Sequence, residues 1–155
     1  MKRFHVHLAV ENLAKSTLFY SNLFGQQPTV EKQDYVKWLL DDPMINFAIS
    51  NRGDNNGLNH FGFQADNDSE LDTLRQRAEA AAGEDILDEG ETTCCYANSK
   101  KHWITDPSGI AWEHYHTMGE AQTYHAILPD STTKTDAAEQ TCCAPETAKT
   151  GSGCC

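Results

Sequence analysis

Between Arg3 and Val10 the chain alternates: Phe4, Val6, Leu8 and Val10 fall on one side, His5, His7 and Ala9 on the other. A period of two over this length predicts a strand with one apolar face. The next stretch, ENLAKSTLFYSNLFG, changes period, with Leu13, Thr17, Tyr20 and Phe24 on a helical stripe and Gly25 as a natural stop. Short strands are expected in DYVKWLLDDP and INFAIS, parted by a turn at Asp42 and Pro43. The pattern then restarts. LNHFGFQADN predicts a strand, DSELDTLRQRAEAAAG a helix, and further strands are expected near Ile86, near Cys94 and Cys95, and at IAWEHYHT. The order is βαβββ twice, an α+β protein with modules at about 1–52 and 55–125.

The repeat can be aligned residue by residue. His5 to Asn12 superposes on His60 to Asn67 at a constant offset, so the two histidines coincide. Asp42 to Ala48 superposes on Asp106 to Glu113 with one residue inserted, which sets Ala48 opposite Glu113. The second module therefore has a carboxylate where the first has a methyl group. His5 and His60 both face away from the apolar sides of their strands, toward a shared concave side, and Glu113 joins them if the last strand pairs as the repeat implies. Two imidazoles and one carboxylate with open coordination positions suit non-haem Fe(II), and the same set serves catalytic zinc. His7 lies on the same face as His5 and competes with it; the repeat favours His5. A lone strand histidine is more often a satisfied polar residue than a ligand, and it is the symmetry that lifts these above that reading.

Composition narrows the partners. A chain of 155 residues suits one compact domain. Its net charge of −11, with no Lys/Arg run, argues against nucleic acid and other anionic partners. No stretch is long and apolar enough to span a membrane, and the N-terminus turns polar too soon for a signal peptide, so a cytoplasmic protein is expected. The last thirty residues, 126–155, hold Ile127 and Leu128 as their large apolar residues and are expected to form a disordered tail.

The six cysteines fall as three adjacent pairs: Cys94 and Cys95, Cys142 and Cys143, Cys154 and Cys155. Neighbouring residues make strained disulfides, and no CxxC-like gap for structural zinc occurs. Adjacent thiols suit a soft metal or metalloid.

The residues quoted so far, with His5 before LAVENLAKSTLFYSNLFG, His60 in LNH, TTCCYA, and Glu113 in WITDPSGIAWE, resemble the vicinal oxygen chelate superfamily of glyoxalases, extradiol dioxygenases and antibiotic-resistance proteins. More narrowly, the chain resembles the cadmium-induced protein and carbon-arsenic lyase family, over roughly residues 2–125; TTCC is the specific part. The resemblance implies paired modules forming a half-open barrel. It implies a divalent metal on His5, His60 and Glu113, Fe(II) in the lyases, with Zn, Ni, Mn or Co as alternatives. It also implies capture of a trivalent organoarsenical by Cys94 and Cys95, followed by oxygen-dependent cleavage to inorganic arsenite. Some relatives carry glutamine at the position of His5. Two adjacent strand residues point apart, so the cysteine pair is expected in a loop or a distorted strand end. The alternatives are a thiol scavenger of Cd, Hg or As without turnover, and a glyoxalase-like or antibiotic-binding protein; Ala48 speaks against a symmetric four-ligand glyoxalase site within one chain. Candidate proton donors are His102, Tyr115 and His116. The protein is expected to be a monomer or a homodimer, and the tail pairs have no assigned role.

Overall fold

Asn12 and Asn67, equivalent in the repeat, start their helices in the same way. Each has extended backbone and accepts a hydrogen bond at 2.9 Å through its side-chain oxygen, from the N–H of Lys15 and of Glu70. This satisfies a donor that the first helical turn leaves open. The computed structural model describes residues 1–52, 55–83 and 85–120. Its elements are β1 (Arg3–Ala9), α1 (Leu13–Phe24), β2 (Val30–Glu31), β3 (Tyr35–Asp41), β4 (Met44–Ser50), β5 (Gly57–Ala65), α2 (Asp68–Ala82), β6 (Leu87–Cys94), β7 (Ala97–Thr105) and β8 (Ala111–Glu120). The order is the expected βαβββ twice. The tail from 126, with its two cysteine pairs, lies outside the described residues.

The strands form one curled sheet in the order β2-β3-β4-β1-β5-β8-β7-β6, a half-barrel. Within each module the first and last strands run parallel, β1 with β4 and β5 with β8, and the modules join through antiparallel β1 and β5. The register confirms the repeat. Across β1 and β5, His5 stands opposite Gly62 and His7 opposite His60, a pattern unchanged by exchanging the modules. His7 pairs with Ala48 in the first module and Gly62 with Glu113 in the second, so Ala48 and Glu113 are equivalent.

The helices pack on the convex face, α1 against β3 and β4, α2 against β5, β7 and β8. Tyr20 and Phe24 of α1 lie against the rings of Trp38 and Phe47, over a core of Val36, Trp38, Leu40 and Ile49. Leu71 and Leu74 of α2 close a second cluster with Ala65 and Phe63. Burying aromatic and aliphatic side chains of this size stabilises by roughly 2 kcal/mol each. Both helices therefore leave the concave face to the strands.

One sequence expectation changes. The strands placed near Ile86 and near the cysteine pair are a single strand, β6, and the next, β7, begins after the pair. ANSKKHWIT carries few apolar residues because its inward side chains line a polar cavity rather than a core, so alternation of apolar residues did not mark it as a strand.

Candidate metal centre and thiol pair

Strand alternation turns His5, His60 and Glu113 to the concave face, all of them buried. His5 Nε2 lies 3.1 Å from His60 Nε2, and Glu113 Oε2 lies 3.6 Å and 3.4 Å from these two nitrogens. The outer ring nitrogens are engaged elsewhere: His5 Nδ1 donates to the Asn46 carbonyl at 3.1 Å, and His60 Nδ1 donates to Asn59 Oδ1 at 2.7 Å. A carbonyl or amide oxygen can only accept, so in the neutral ring each Nε2 presents a lone pair. Two ring nitrogens and a carboxylate oxygen thus converge within 3.6 Å of one another, an arrangement that suits a cation. A circle through the three atoms has a radius of about 2 Å, the length of a metal–nitrogen or metal–oxygen bond. These three residues form the group that could hold a metal ion among the described residues.

Neighbours tune the set. Lys101 donates to Glu113 Oε1 at 2.6 Å, with both side chains buried, which leaves Oε2 to the triad. Burial works against both charges, yet the pair outweighs it: the Glu113 carboxyl is held well below its ordinary range, and the Lys101 ammonium is raised. Burial, then the neighbouring His60, lowers His5 to about 3, so it is neutral near pH 7. Gly62 lets β5 and β8 approach closely, since a Cβ there would sit 1.8 Å from the Glu113 carbonyl oxygen. His7 is buried beside these three residues, bonded to Ser50 Oγ at 2.9 Å, and does not belong to the group that could hold a metal ion.

Cys94 ends β6 and pairs with Ala97, so Cys95 and Tyr96 form a two-residue hairpin turn. Both are left-handed, with φ of 53° and 62°. Such turns favour Asn-Gly and similar pairs, and bulky residues there cost of order 1 kcal/mol each. Tyr96 Oη donates to Asp34 Oδ1 at 2.6 Å, Asp34 also pairs with Arg52, and Cys95 and Tyr96 pack on Tyr35 and Ala48. The turn is thereby fixed across the mouth of the half-barrel. Its effect is to bring the two sulfurs within 3.1 Å of each other, as the strand-end expectation requires. Cys94 is disulfide-bonded in this structure, so a dithiol form is reached by reduction.

A cavity of about 30 Å³ joins the parts: His5, His60 and Glu113 line it together with Cys94 and Cys95. Of the suggested proton donors, Tyr115 lines this cavity. His102 and His116 do not. His102 lies 3.0 Å from His114 on the opposite face, and His116 lies against Asp68 of α2. Lys37 and Lys101 also line the cavity and went unrecognised in the sequence, where nothing distinguishes Lys101 from Lys100.

A sequence profile of the Glyoxalase/Bleomycin resistance protein/Dioxygenase superfamily matches residues 2–114. Among curated proteins, a trivalent organoarsenical cleaving enzyme of Bacillus sp. (strain MD1) is 38% identical, with 100% of this chain and 99% of that protein covered. The cadmium-induced protein CadI of Mycobacterium bovis is 30% identical over 99% of this chain and 100% of its own. Among solved structures, a glyoxalase/bleomycin resistance protein/dioxygenase superfamily member from Vibrio splendidus shares the fold, with a TM-score of 0.52 at 18% identity, covering 76% of this chain and 100% of that one. The Mn(II)-bound glyoxalase from Novosphingobium aromaticivorans aligns with a TM-score of 0.55 at 19% identity, over 90% of this chain and 44% of its own. With the repeat, the half-barrel and the His-His-Glu group in place, these likenesses show that the chain belongs to the glyoxalase/bleomycin resistance protein/dioxygenase superfamily and, within it, to the family of trivalent organoarsenical cleaving enzymes and cadmium-induced proteins.

Proposed function

We propose that this protein is a carbon-arsenic lyase that uses Fe(II) and dioxygen to cleave trivalent organoarsenicals, with His5, His60 and Glu113 holding the metal and Cys94 and Cys95 holding the arsenic. The observation that carries this reading is that one small cavity is lined by all five residues. Sulfurs 3.1 Å apart, each bonded to one soft atom at about 2.3 Å, subtend close to a right angle there, as pyramidal arsenic(III) prefers. Capture is a condensation. Two As–S bonds replace two As–O bonds, and each departing hydroxide leaves as water with a thiol proton.

Iron(II), when bound, supplies the oxygen activation and electron transfer that oxidative cleavage needs. The chain's own residues do the rest. The dithiol fixes arsenic at one end of the cavity while its third bond, to carbon, is free to project toward the triad, which gives proximity and orientation. Lys101 keeps Glu113 ionised. Tyr35 and Tyr115, whose hydroxyls burial raises well above the ordinary range, remain neutral and help close the cavity to water. The products are arsenite and an oxidised carbon fragment.

The domain comprises residues 1–125, the tail 126–155 is an appendage, and the cytoplasm is the compartment, where thiols are kept reduced. The organoarsenical relatives support the arsenic chemistry. The cadmium-induced relatives favour a second reading, a thiol-based binder of Cd, Hg or As without turnover. One experiment separates them: the reduced protein is loaded anaerobically with Fe(II), given a trivalent methylarsenical, and exposed to oxygen or not. Release of arsenite that needs both iron and oxygen supports the lyase; stoichiometric capture with no release supports the binder. Cys94→Ser and Cys95→Ser should each retain iron and lose arsenical binding and turnover. Full turnover in the double variant refutes the assignment of this pair.

A further inference from the structure

Lys37 is the charged group of the cavity that the proposed chemistry leaves unused. It sits on β3, two residues beyond Tyr35 and opposite Ala48 on β4, and Cys95 packs on those two residues. Cys95 and Lys37 therefore line the same wall, and both border the cavity. Among the described residues no carboxylate lies within ion-pair distance of Lys37.

The charges facing Cys95 can be followed strand by strand. On β3 and β8, Tyr35 and Tyr115 keep their protons because burial raises both. On β1, His5 and His7 are neutral because burial lowers both. His60 belongs to the ligand set. In the turn, the Tyr96 hydroxyl is bonded to Asp34, which Arg52 neutralises, and Lys32 lies over the Tyr96 ring rather than in the cavity. Lys101 of β7 and Glu113 of β8 form a pair at 2.6 Å and largely cancel at a distance. Glu120, exposed at the end of β8, acts on Lys37 more weakly than Cys95 does. Lys101 also acts on Cys95 but is bonded to Glu113, so among the described residues Lys37 is the ammonium lining this cavity that no carboxylate pairs with. In a chain of net charge −11, a half-buried ammonium with no acid partner calls for an anion, and the adjacent thiol can become one.

We infer that Lys37 is a positioning residue for substrate capture: its ammonium holds the Cys95 sulfur as the thiolate that attacks trivalent arsenic. The Cys95 proton goes to solvent beforehand. An As–S bond then forms as an As–O bond breaks, the departing hydroxide takes up a proton to leave as water, and no oxidation state changes. Burial lowers the Lys37 ammonium and Cys95 acts the other way, and the low-dielectric wall screens their attraction less than water would. The inference takes its substrate from the proposed lyase reading, but thiolate character can be tested without arsenic, iron or oxygen, so the two can fail separately.

The test is the pH dependence of alkylation at Cys95 by iodoacetamide, a neutral reagent, in the reduced full-length chain, followed by mass spectrometry of the peptide that carries it. Lys37→Gln and Lys37→Met should slow alkylation about five-fold at pH 7 and move the inflection up toward that of an ordinary thiol, near 8.5. Lys37→Arg should restore the wild-type profile. Metal stoichiometry should be unchanged in all three, which shows that the site is folded. Coincident profiles for wild type and both neutral variants overturn the inference, as does an arginine variant that behaves like glutamine.

Discussion

Lys101→Met removes the ammonium bonded to the buried Glu113 while keeping a side chain of similar length. In the metal-free protein this leaves a carboxylate with 8% side-chain exposure and no counter-charge on Oε1, where Lys101 stood at 2.6 Å. Breaking a buried pair from one side costs about 3–5 kcal/mol. Protonation caps the loss, because neutralising a carboxyl of ordinary pKa at pH 7 costs about 4 kcal/mol. At roughly 3 °C per kcal/mol for a protein of this size, the melting temperature should fall by about 10 °C. With a divalent metal bound, Glu113 Oε2 has a cation at about 2 Å, and the remaining loss is that of one hydrogen bond, about 1 kcal/mol. The linkage has an unexpected sign: the variant is less stable, yet the folded variant should bind metal more than ten-fold tighter than wild type. Thermal unfolding of both proteins with and without Co(II) or anaerobic Fe(II), with metal titrations alongside, gives both quantities. Equal destabilisation in the two forms, or weaker metal binding by the variant, would refute this account of Lys101.

His60→Ala and Glu113→Ala should each abolish stoichiometric metal binding while His7→Ala retains it, as read by metal analysis of the purified variants; retention without His5 and loss without His7 would reverse the choice of first ligand. Gly62→Ala should cost about 3 kcal/mol or more and weaken metal binding, because the new Cβ forces β5 away from the Glu113 backbone, and denaturant melts with metal titration measure both. Acid should destabilise the fold through His114, which burial and then the adjacent His102 lower to about 4. Between pH 6.5 and pH 4 the unfolded chain binds a proton that the folded one refuses, so this contribution is complete above pH 6.5 and declines below it. About 2 kcal/mol should be lost between pH 7 and pH 5, a loss that His114→Gln largely removes in urea titrations at the two pH values.

The convergence of His5, His60 and Glu113 was legible because local periodicity and an internal repeat encode it. Alternation assigns His5 and His60 to the same face of equivalent strands, and aligning the modules singles out Glu113 against Ala48 before any contact is known. The helix starts at Asn12 and Asn67 are local in the same sense, since each cap is made within four residues. The fold therefore follows from short-range patterns repeated once.

The surroundings of those three residues were not legible. Lys100 and Lys101 are neighbours of one type, and only strand pairing turns Lys101 inward onto Glu113. Cys94 and Cys95 show adjacency in the sequence, but their 3.1 Å separation depends on a left-handed turn held by Asp34, some sixty residues away. Lys37 and Cys95 border one cavity through the curl of the sheet, which brings β3 of one module to the β6–β7 turn of the other. A strand's period of two determines which face a side chain takes; what stands across that face depends on register and curvature, which are decided when distant strands pair.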